Sequence, residues 1–167
     1  ALVVPVHLSS SEAETEQVGA SLAATLKPGD VVLLSGDLGA GKTTFARALI
    51  RALMGDRGAE VPSPTFSLVQ HYRTPRLDLI HSDLYRLNDA DEVAELGLGD
   101  AVRSGAVLIE WPQRGHGFAD LGEVPDHRRV EVRTAGPDRE HERQPGPLSP
   151  LGGEVDPGGQ PSGQLAG

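Results

Sequence analysis

The hydrophobic positions in the first third of the chain predict a helix, a buried strand and a second helix. Apolar residues recur at helical spacing from Glu12 to Leu26, behind a Ser-x-x-Glu sequence typical of a helix N-terminus. The short unbroken apolar run from Val31 to Ser35 is typical of a strand buried on both faces. From Thr43 to Met54 the helical period returns, and Gly55 is expected to cap this second helix.

The hydrophobic pattern of the following residues predicts a mixed sheet. Two strands, Thr65–Tyr72 and Leu77–Asp83, are joined by a link so short that it permits only an antiparallel pair. A short helix is expected within Asp89–Gly97, a buried strand at Ala106–Ile109, and an edge or last strand at Arg128–Thr134. These elements predict one α/β domain, with a mixed parallel and antiparallel sheet flanked by helices.

Composition divides the chain into a domain and a tail. Residues 135–167 contain no aromatic residue, few aliphatic residues and many glycines and prolines. Such a segment cannot bury enough apolar surface to offset the entropy that it would lose on ordering. We therefore predict a folded domain over residues 1–134 and a disordered tail over residues 135–167.

Charge and residue usage exclude several kinds of site. The net charge of −9 opposes direct binding to nucleic acid, so a partner is expected to hold any nucleic acid that the protein serves. No cysteine is present, which excludes disulfides and thiolate metal sites. Residues 1–7 lack the charged start of a signal peptide, and no stretch reaches membrane-spanning length. We expect a cytoplasmic protein without a membrane partner.

The clearest chemical signal is the Gly-x-x-x-x-Gly-Lys-Ser/Thr pattern that runs from Gly36 to Thr43, between the buried strand and the second helix. Its glycines let successive backbone N–H groups face phosphate oxygens where a side chain would collide. Lys42 is expected to reach the β- and γ-phosphates, and the Thr43 hydroxyl to ligate Mg²⁺. The pattern therefore predicts a site for ATP or GTP. The chain has no Asn-Lys-x-Asp element for reading guanine, which favours ATP.

Three further positions are candidates beside this loop. Glu110 ends a predicted buried strand, where P-loop enzymes place a carboxylate for Mg²⁺ or for water, although an acid at this position is common in other proteins. Asp83 also ends a strand, and on the residues alone a role in capping a turn is favoured. Ser63–Thr65 fits a switch loop that senses the γ-phosphate and a proline-stiffened connector equally well. The sequence shows no partner for His81.

Four motifs in order resemble the TsaE (YjeE) family, the bacterial ATPases of tRNA threonylcarbamoyladenosine biosynthesis. The resemblance covers about Ser9 to Gln113, and the tail from Ala135 departs from the family. The motifs are Gly-Asp-Leu-Gly-Ala-Gly-Lys-Thr-Thr-Phe at Gly36–Phe45, Ser-Pro-Thr-Phe at Ser63–Phe66, His-Ser-Asp-Leu-Tyr-Arg-Leu at His81–Leu87, and Ile-Glu-Trp-Pro at Ile109–Pro112.

The resemblance implies a function that the motifs alone do not reveal. It implies ATP and Mg²⁺ as ligands, slow ATP hydrolysis by the isolated protein, and action together with a TsaB–TsaD complex. That complex transfers a threonylcarbamoyl group to the adenosine next to the anticodon of certain tRNAs. The protein would therefore meet tRNA only indirectly, through its partners.

The resemblance also implies roles for individual residues. Lys42, Asp83 and Glu110 would be catalytic, and Thr43 and Glu110 would lie on the Mg²⁺ side. Ser63–Thr65 would be a switch loop, Trp111 would lie beside the site, and Glu12 and Thr15 near the base. The residues implied to hold the ATP phosphates are Gly36, Asp37, Leu38, Gly39, Ala40, Gly41, Lys42, Thr43 and Thr44.

Two other functions remain open at this stage. A small-molecule kinase would need an arginine-bearing lid and an acceptor pocket, and no long lid is evident between Gly97 and Arg128, although Arg103 and Arg114 fall there. The third possibility is a nucleotide-gated binding module, in which ATP only sets the affinity for a partner.

Overall fold

The computed structural model describes residues 6–8, 11–115 and 128–134, with side chains described from residue 11 onward. The tail predicted over residues 135–167 lies outside the described residues. The strands are β1 (Val6–Leu8), β2 (Asp30–Ser35), β3 (Val69–Arg73), β4 (Asp78–Asp83), β5 (Ala106–Glu110) and β6 (Arg128–Thr134). The helices are α1 (Glu12–Thr25), α2 (Lys42–Met54), α3 (Ala90–Glu95) and α4 (Leu98–Ser104), and a single 3₁₀ turn follows at Pro112–Arg114.

The six strands form one sheet in the order β1-β6-β2-β5-β4-β3. Only β3 pairs with its neighbour in the antiparallel sense, and the other pairs are parallel. The predicted fold class, a mixed sheet flanked by helices, is therefore confirmed. Because β2, β4 and β5 are parallel, their carboxyl ends meet at one edge of the sheet, the usual place for a ligand in such folds.

Both faces of the central strands are buried, as the unbroken apolar runs predict. On one face, Val32 and Leu34 pack with a core cluster that includes Phe45, Leu49 and Ile50 of α2. On the other face, the alternate residues Val31 and Leu33 belong to a second cluster with α4. The same alternation holds in β5. Because both faces of β2 and β5 are buried, these strands are held in place in the sheet. The positions at which the loops after β2 and β5 begin are therefore fixed as well.

The first strand of the antiparallel pair begins later than predicted, at Val69 rather than Thr65. The preceding residues form a turn, in which the Leu68 N–H donates to the Pro64 carbonyl oxygen at 2.7 Å. Leu68 has a φ of 63°, a left-handed conformation that a strand does not allow. The turn therefore removes Ser63–Thr65 from the sheet and leaves it as a loop.

Two predictions about the remaining elements are wrong or incomplete. Arg128–Thr134 is the last strand that the structure describes, one of the two predicted alternatives, but it is not an edge strand, because β1 pairs with its outer side and β2 with its inner side. Its alternating charged residues suggested an edge. The helix α4 was not predicted. In the structure Gly97 has a φ of 70° and begins α4 directly after α3.

Arg76, in the turn between β3 and β4, caps helix α1 from a distance in the chain. Its guanidinium donates to the carbonyl oxygens of Ala23 at 2.8 Å and Leu26 at 2.7 Å. The last carbonyls of a helix have no partner within the helix. Arg76→Ala is therefore expected to lower the free energy of unfolding by about 1–2 kcal/mol.

Urea unfolding of the wild-type protein and of Arg76→Ala measures this loss of stability. The matched control is Arg73→Ala, which removes an exposed arginine at the end of β3. A surface change of this kind is expected to alter stability by less than about 0.5 kcal/mol. Equal losses for the two variants would show that the contacts to α1 contribute nothing.

Candidate functional site

The loop between β2 and α2 needs glycine at several positions. Gly36 has a φ of 151°, and a Cβ there would lie 2.2 Å from Thr134 Oγ1 at the end of β6. Gly39 and Gly41 have φ values of 78° and 90°, in the left-handed region that other residues rarely adopt. The loop therefore has the geometry that the sequence pattern predicts. The end of β6 packs against Gly36, the first residue of the loop.

Lys42 is buried at the mouth of this loop. Its Nζ donates to the carbonyl oxygens of Gly36 and Asp37, both at 2.6 Å, and lies 4.0 Å from the centre of the Trp111 ring. Burial lowers the pKa of Lys42 from its usual value, and the negative charges of Glu110, Asp37 and Asp83 oppose this shift. A phosphate group would supply the counter-charge that carbonyl oxygens give only in part, so the loop fits a nucleotide.

A cleft of about 380 Å³ opens beside Lys42 and brings most of the predicted site residues together. Gly36, Asp37 and Ala40 do not line it; the first two bind Lys42 through their carbonyl groups instead, and Ala40 is buried. The lining residues are Leu38, Gly39, Gly41, Lys42, Thr43, Thr44, Ser63, Thr65, Asp83, Tyr85, Glu110 and Trp111.

Asp83 and Glu110 are paired neighbours at the carboxyl ends of β4 and β5. Asp83 Oδ1 accepts the Tyr85 N–H at 2.9 Å, and Oδ2 accepts the Thr65 hydroxyl at 3.3 Å. Burial raises the pKa of Asp83 from its usual value, and the charge of Glu110 adds to this, whereas the two hydrogen bonds oppose it. Asp83 therefore caps a turn, as the residues alone favoured, and it also lies in the cleft.

The loop at Ser63–Thr65 contacts the site directly. Ser63 Oγ lies 2.8 Å from Thr65 Oγ1, which in turn donates to Asp83. The connector before it is bound to α2, because Arg47 Nε donates to the Val61 carbonyl oxygen at 3.3 Å. The loop therefore bridges the helix that follows the P-loop and one of the two carboxylates.

Glu110 has a partner that the sequence did not reveal. Its Oε1 lies 2.8 Å from His81 Nε2, and both side chains are almost wholly buried. The only signal in the sequence was the alternation of β4, which puts residues 81 and 83 on the same face of the sheet. The pairing itself depends on the neighbouring strand.

The described residues include no group of three or more His, Cys, Asp or Glu that could enclose a metal ion. Mg²⁺ in nucleotide sites does not require such a group, because it takes one or two protein ligands and completes its shell with phosphates and water. Thr43 and Glu110 lie in the walls of one cleft. Their role as Mg²⁺ ligands stays a prediction.

Two residues implied to lie near the base are not in the walls of this cleft. The Thr15 hydroxyl donates to the Ser11 carbonyl oxygen at 3.0 Å, inside the first turn of α1, and Glu12 is exposed. Contact of either residue with a base stays a prediction. Within the described ranges, every helix is too short or too polar to cross a membrane.

The family model for TsaE, described as a threonylcarbamoyl adenosine biosynthesis protein, matches residues 9–144. The chain belongs to the TsaE family. This confirms the resemblance inferred from the four motifs. The match runs ten residues beyond the predicted domain end at residue 134, so only residues 145–167 lie outside it on the C-terminal side.

Curated relatives of the TsaE family match most of the chain. The TsaE of Rickettsia bellii is 47% identical over 104 residues, which cover 62% of this chain and 72% of the relative. The TsaE of Bacillus subtilis is 39% identical over 127 residues, which cover 75% of each chain. Both are named tRNA threonylcarbamoyladenosine biosynthesis proteins. A crystal structure of Bacillus subtilis YdiB superposes with a TM-score of 0.54 at 31% identity, over 77% of this chain and 76% of YdiB.

Proposed function

We propose that this chain binds and hydrolyses ATP with Mg²⁺, and thereby supports threonylcarbamoyl transfer to the adenosine next to the anticodon of tRNA by a TsaB–TsaD complex. The observation that carries the proposal is the buried ammonium of Lys42, which shares one cleft with the carboxylates of Asp83 and Glu110. The names of the relatives support the tRNA pathway.

The residues of the cleft would have different roles in ATP hydrolysis. Lys42 and the N–H groups of the P-loop would hold the phosphates, while the Thr43 hydroxyl and Glu110 would hold Mg²⁺. The bound Mg²⁺ would neutralise charge on the phosphate oxygens. Asp83, which the Tyr85 N–H and the Thr65 hydroxyl hold in place, would accept a hydrogen bond from the attacking water. Thr65 thereby links the Ser63–Thr65 loop to the state of the nucleotide.

The rim of the cleft supports a role for a protein partner. Among the residues that the structure describes, the exposed large hydrophobic side chains are Leu38, Phe66 and Tyr85. Leu38 and Tyr85 line the cleft, and Phe66, with 82% of its surface exposed, follows Thr65 directly. Exposed apolar side chains grouped in this way are typical of protein interaction sites. A partner bound here would sense whether the cleft holds nucleotide.

The partner's role is tested by measuring ATP hydrolysis with and without a TsaB–TsaD pair. We expect stimulation by the pair, and Phe66→Ala is expected to raise the partner concentration for half-maximal stimulation by about tenfold or more. Its unstimulated rate should stay within about threefold of wild type, because Phe66 does not line the cleft. The exposed His71 of β3 supplies a control in His71→Ala, which should retain full stimulation.

The three candidate functions predict different outcomes. A phosphorylated metabolite, found in a screen for acceptors, would replace the proposal with a small-molecule kinase. If variants unable to hydrolyse ATP still support tRNA modification in a reconstituted reaction, the chain is a nucleotide-gated binding module. Absence of hydrolysis with and without the partners would reject the ATPase altogether.

A further inference from the structure

A buried histidine supports the cleft from behind. His81 is 1% exposed and does not line the cleft, yet its Nε2 reaches Glu110 Oε1 at 2.8 Å. In the register of β4 and β5, His81 is opposite Leu108, and Asp83 is opposite Glu110. The imidazole therefore approaches Glu110 diagonally from the interior of the sheet, one side-chain row behind the carboxylates.

The hydrogen bond defines which ring nitrogen carries the proton. An ionised carboxylate only accepts hydrogen bonds, so Nε2 is the donor in this pair, and in the neutral imidazole Nδ1 is then a bare acceptor. Nδ1 is buried and has no hydrogen-bond partner among the described residues. A buried polar atom without a partner destabilises the folded state, and a leucine at this position would avoid that cost. Packing alone therefore does not explain a histidine here, whereas the bond to Glu110 does.

We propose that His81 is a positioning residue, which holds one oxygen of Glu110 so that the carboxylate faces Mg²⁺ and nucleotide in the cleft. This rests on the proposed function of Glu110. The competing position for the carboxylate is beside the Lys42 ammonium, whose charge attracts it. By retaining Oε1, His81 keeps Glu110 from closing an ion pair with Lys42 and leaves that ammonium for the phosphates.

Replacing His81 with each of two amide residues of different length tests which property of the side chain matters. It can be the hydrogen bond that positions Glu110, or only the presence of a polar group. The amide nitrogen of glutamine reaches about as far as Nε2 of histidine, whereas the shorter asparagine reaches only to the place of Nδ1. His81→Gln should therefore retain the bond to Glu110, and His81→Asn should lose it. Thermal unfolding of both variants measures whether either change affects the fold.

The main measurement is the Mg²⁺ concentration that half-saturates binding of a non-hydrolysable ATP analogue. Loss of a residue that orients a metal ligand weakens metal binding by about 10–100-fold, which is the rise expected for His81→Asn. His81→Gln should stay within about threefold of wild type and keep its affinity for the analogue without metal. In His81→Asn that metal-free affinity should fall, because Glu110 is then free to pair with Lys42. His71→Asn, on the exposed side of β3, is the matched control. Indistinguishable Mg²⁺ dependence for His81→Gln and His81→Asn would overturn the proposal.

A second measurement needs neither nucleotide nor hydrolysis. In ¹⁵N spectra of histidine-labelled protein, the resonance that disappears in His81→Gln should show the proton on Nε2. Glu110→Gln should shift this resonance. A proton on Nδ1 with none on Nε2, or no response to Glu110→Gln, would contradict the proposal. Lack of ATP hydrolysis by the wild-type protein would count against the proposed function, while these two measurements would still decide the role of His81.

Discussion

Replacing Lys42 with alanine is expected to lower kcat/KM for ATP hydrolysis by about 10²–10³-fold. Its ammonium is buried at the loop mouth, bound by two carbonyl oxygens and covered by the Trp111 ring. In such a water-poor place a fixed charge stabilises a phosphoryl transition state far more than an exposed charge does. Steady-state hydrolysis across a range of ATP concentrations, with the partner complex present, measures the loss.

The chain contains its own control for this change. Lys27, the other lysine of the sequence, is exposed at the end of α1, and Lys27→Ala removes the same charge away from the cleft. Its hydrolysis should match wild type within about twofold. Lys42→Arg should have less than about a tenth of the wild-type hydrolysis activity, because a planar guanidinium cannot replace an ammonium between two carbonyl oxygens. Equal activity of the two alanine variants would exclude Lys42 from catalysis.

Replacing Asp83 with asparagine is expected to raise the stability of the nucleotide-free protein at neutral pH and to lower hydrolysis by about 10²-fold. Because the pKa of Asp83 is raised in the folded protein, mainly by burial, the folded state prefers the neutral carboxyl. The stability contributed by the neutral form is present below the usual pKa of 3.8, and it is lost as pH rises through the raised value. Asparagine remains neutral. Its amide oxygen can accept the Tyr85 N–H, and its NH₂ group can donate to Thr65 Oγ1 where the carboxylate accepted from it.

Denaturant unfolding of wild type and Asp83→Asn over a range of pH tests this sign. The stability difference should favour the variant at pH 7 and shrink towards zero as pH falls below 3.8, where aspartate becomes protonated in both states. Asp78→Asn is the control, since Asp78 is exposed at the opposite end of β4. A variant less stable than wild type at pH 7 would show that the ionised carboxylate is favourably held.

The sequence by itself determined the parts of this protein that are contiguous in the chain. The P-loop depends on a buried run, a glycine pattern and a helix start that follow one another between Val31 and Lys42, so local preferences are enough to predict it. Only the contact between Gly36 and Thr134 of β6 needs the tertiary structure. The N-cap of α1 at Ser11 and the C-cap of α2 at Gly55 are equally local, and both are present in the structure. Family motifs then indicated Asp83 and Ser63–Thr65, whose own residues were ambiguous.

Only the tertiary structure decided which side chains meet. Asp83 stands beside Glu110, and His81 binds Glu110 across 29 residues of chain, because β4 and β5 pair in a parallel register. A shift of that register by one residue would send these side chains to the other face of the sheet. β6 is an interior strand only because β1 pairs with its outer side. Long-range pairing of this kind is selected by burial over the whole sheet and leaves no local pattern in the sequence.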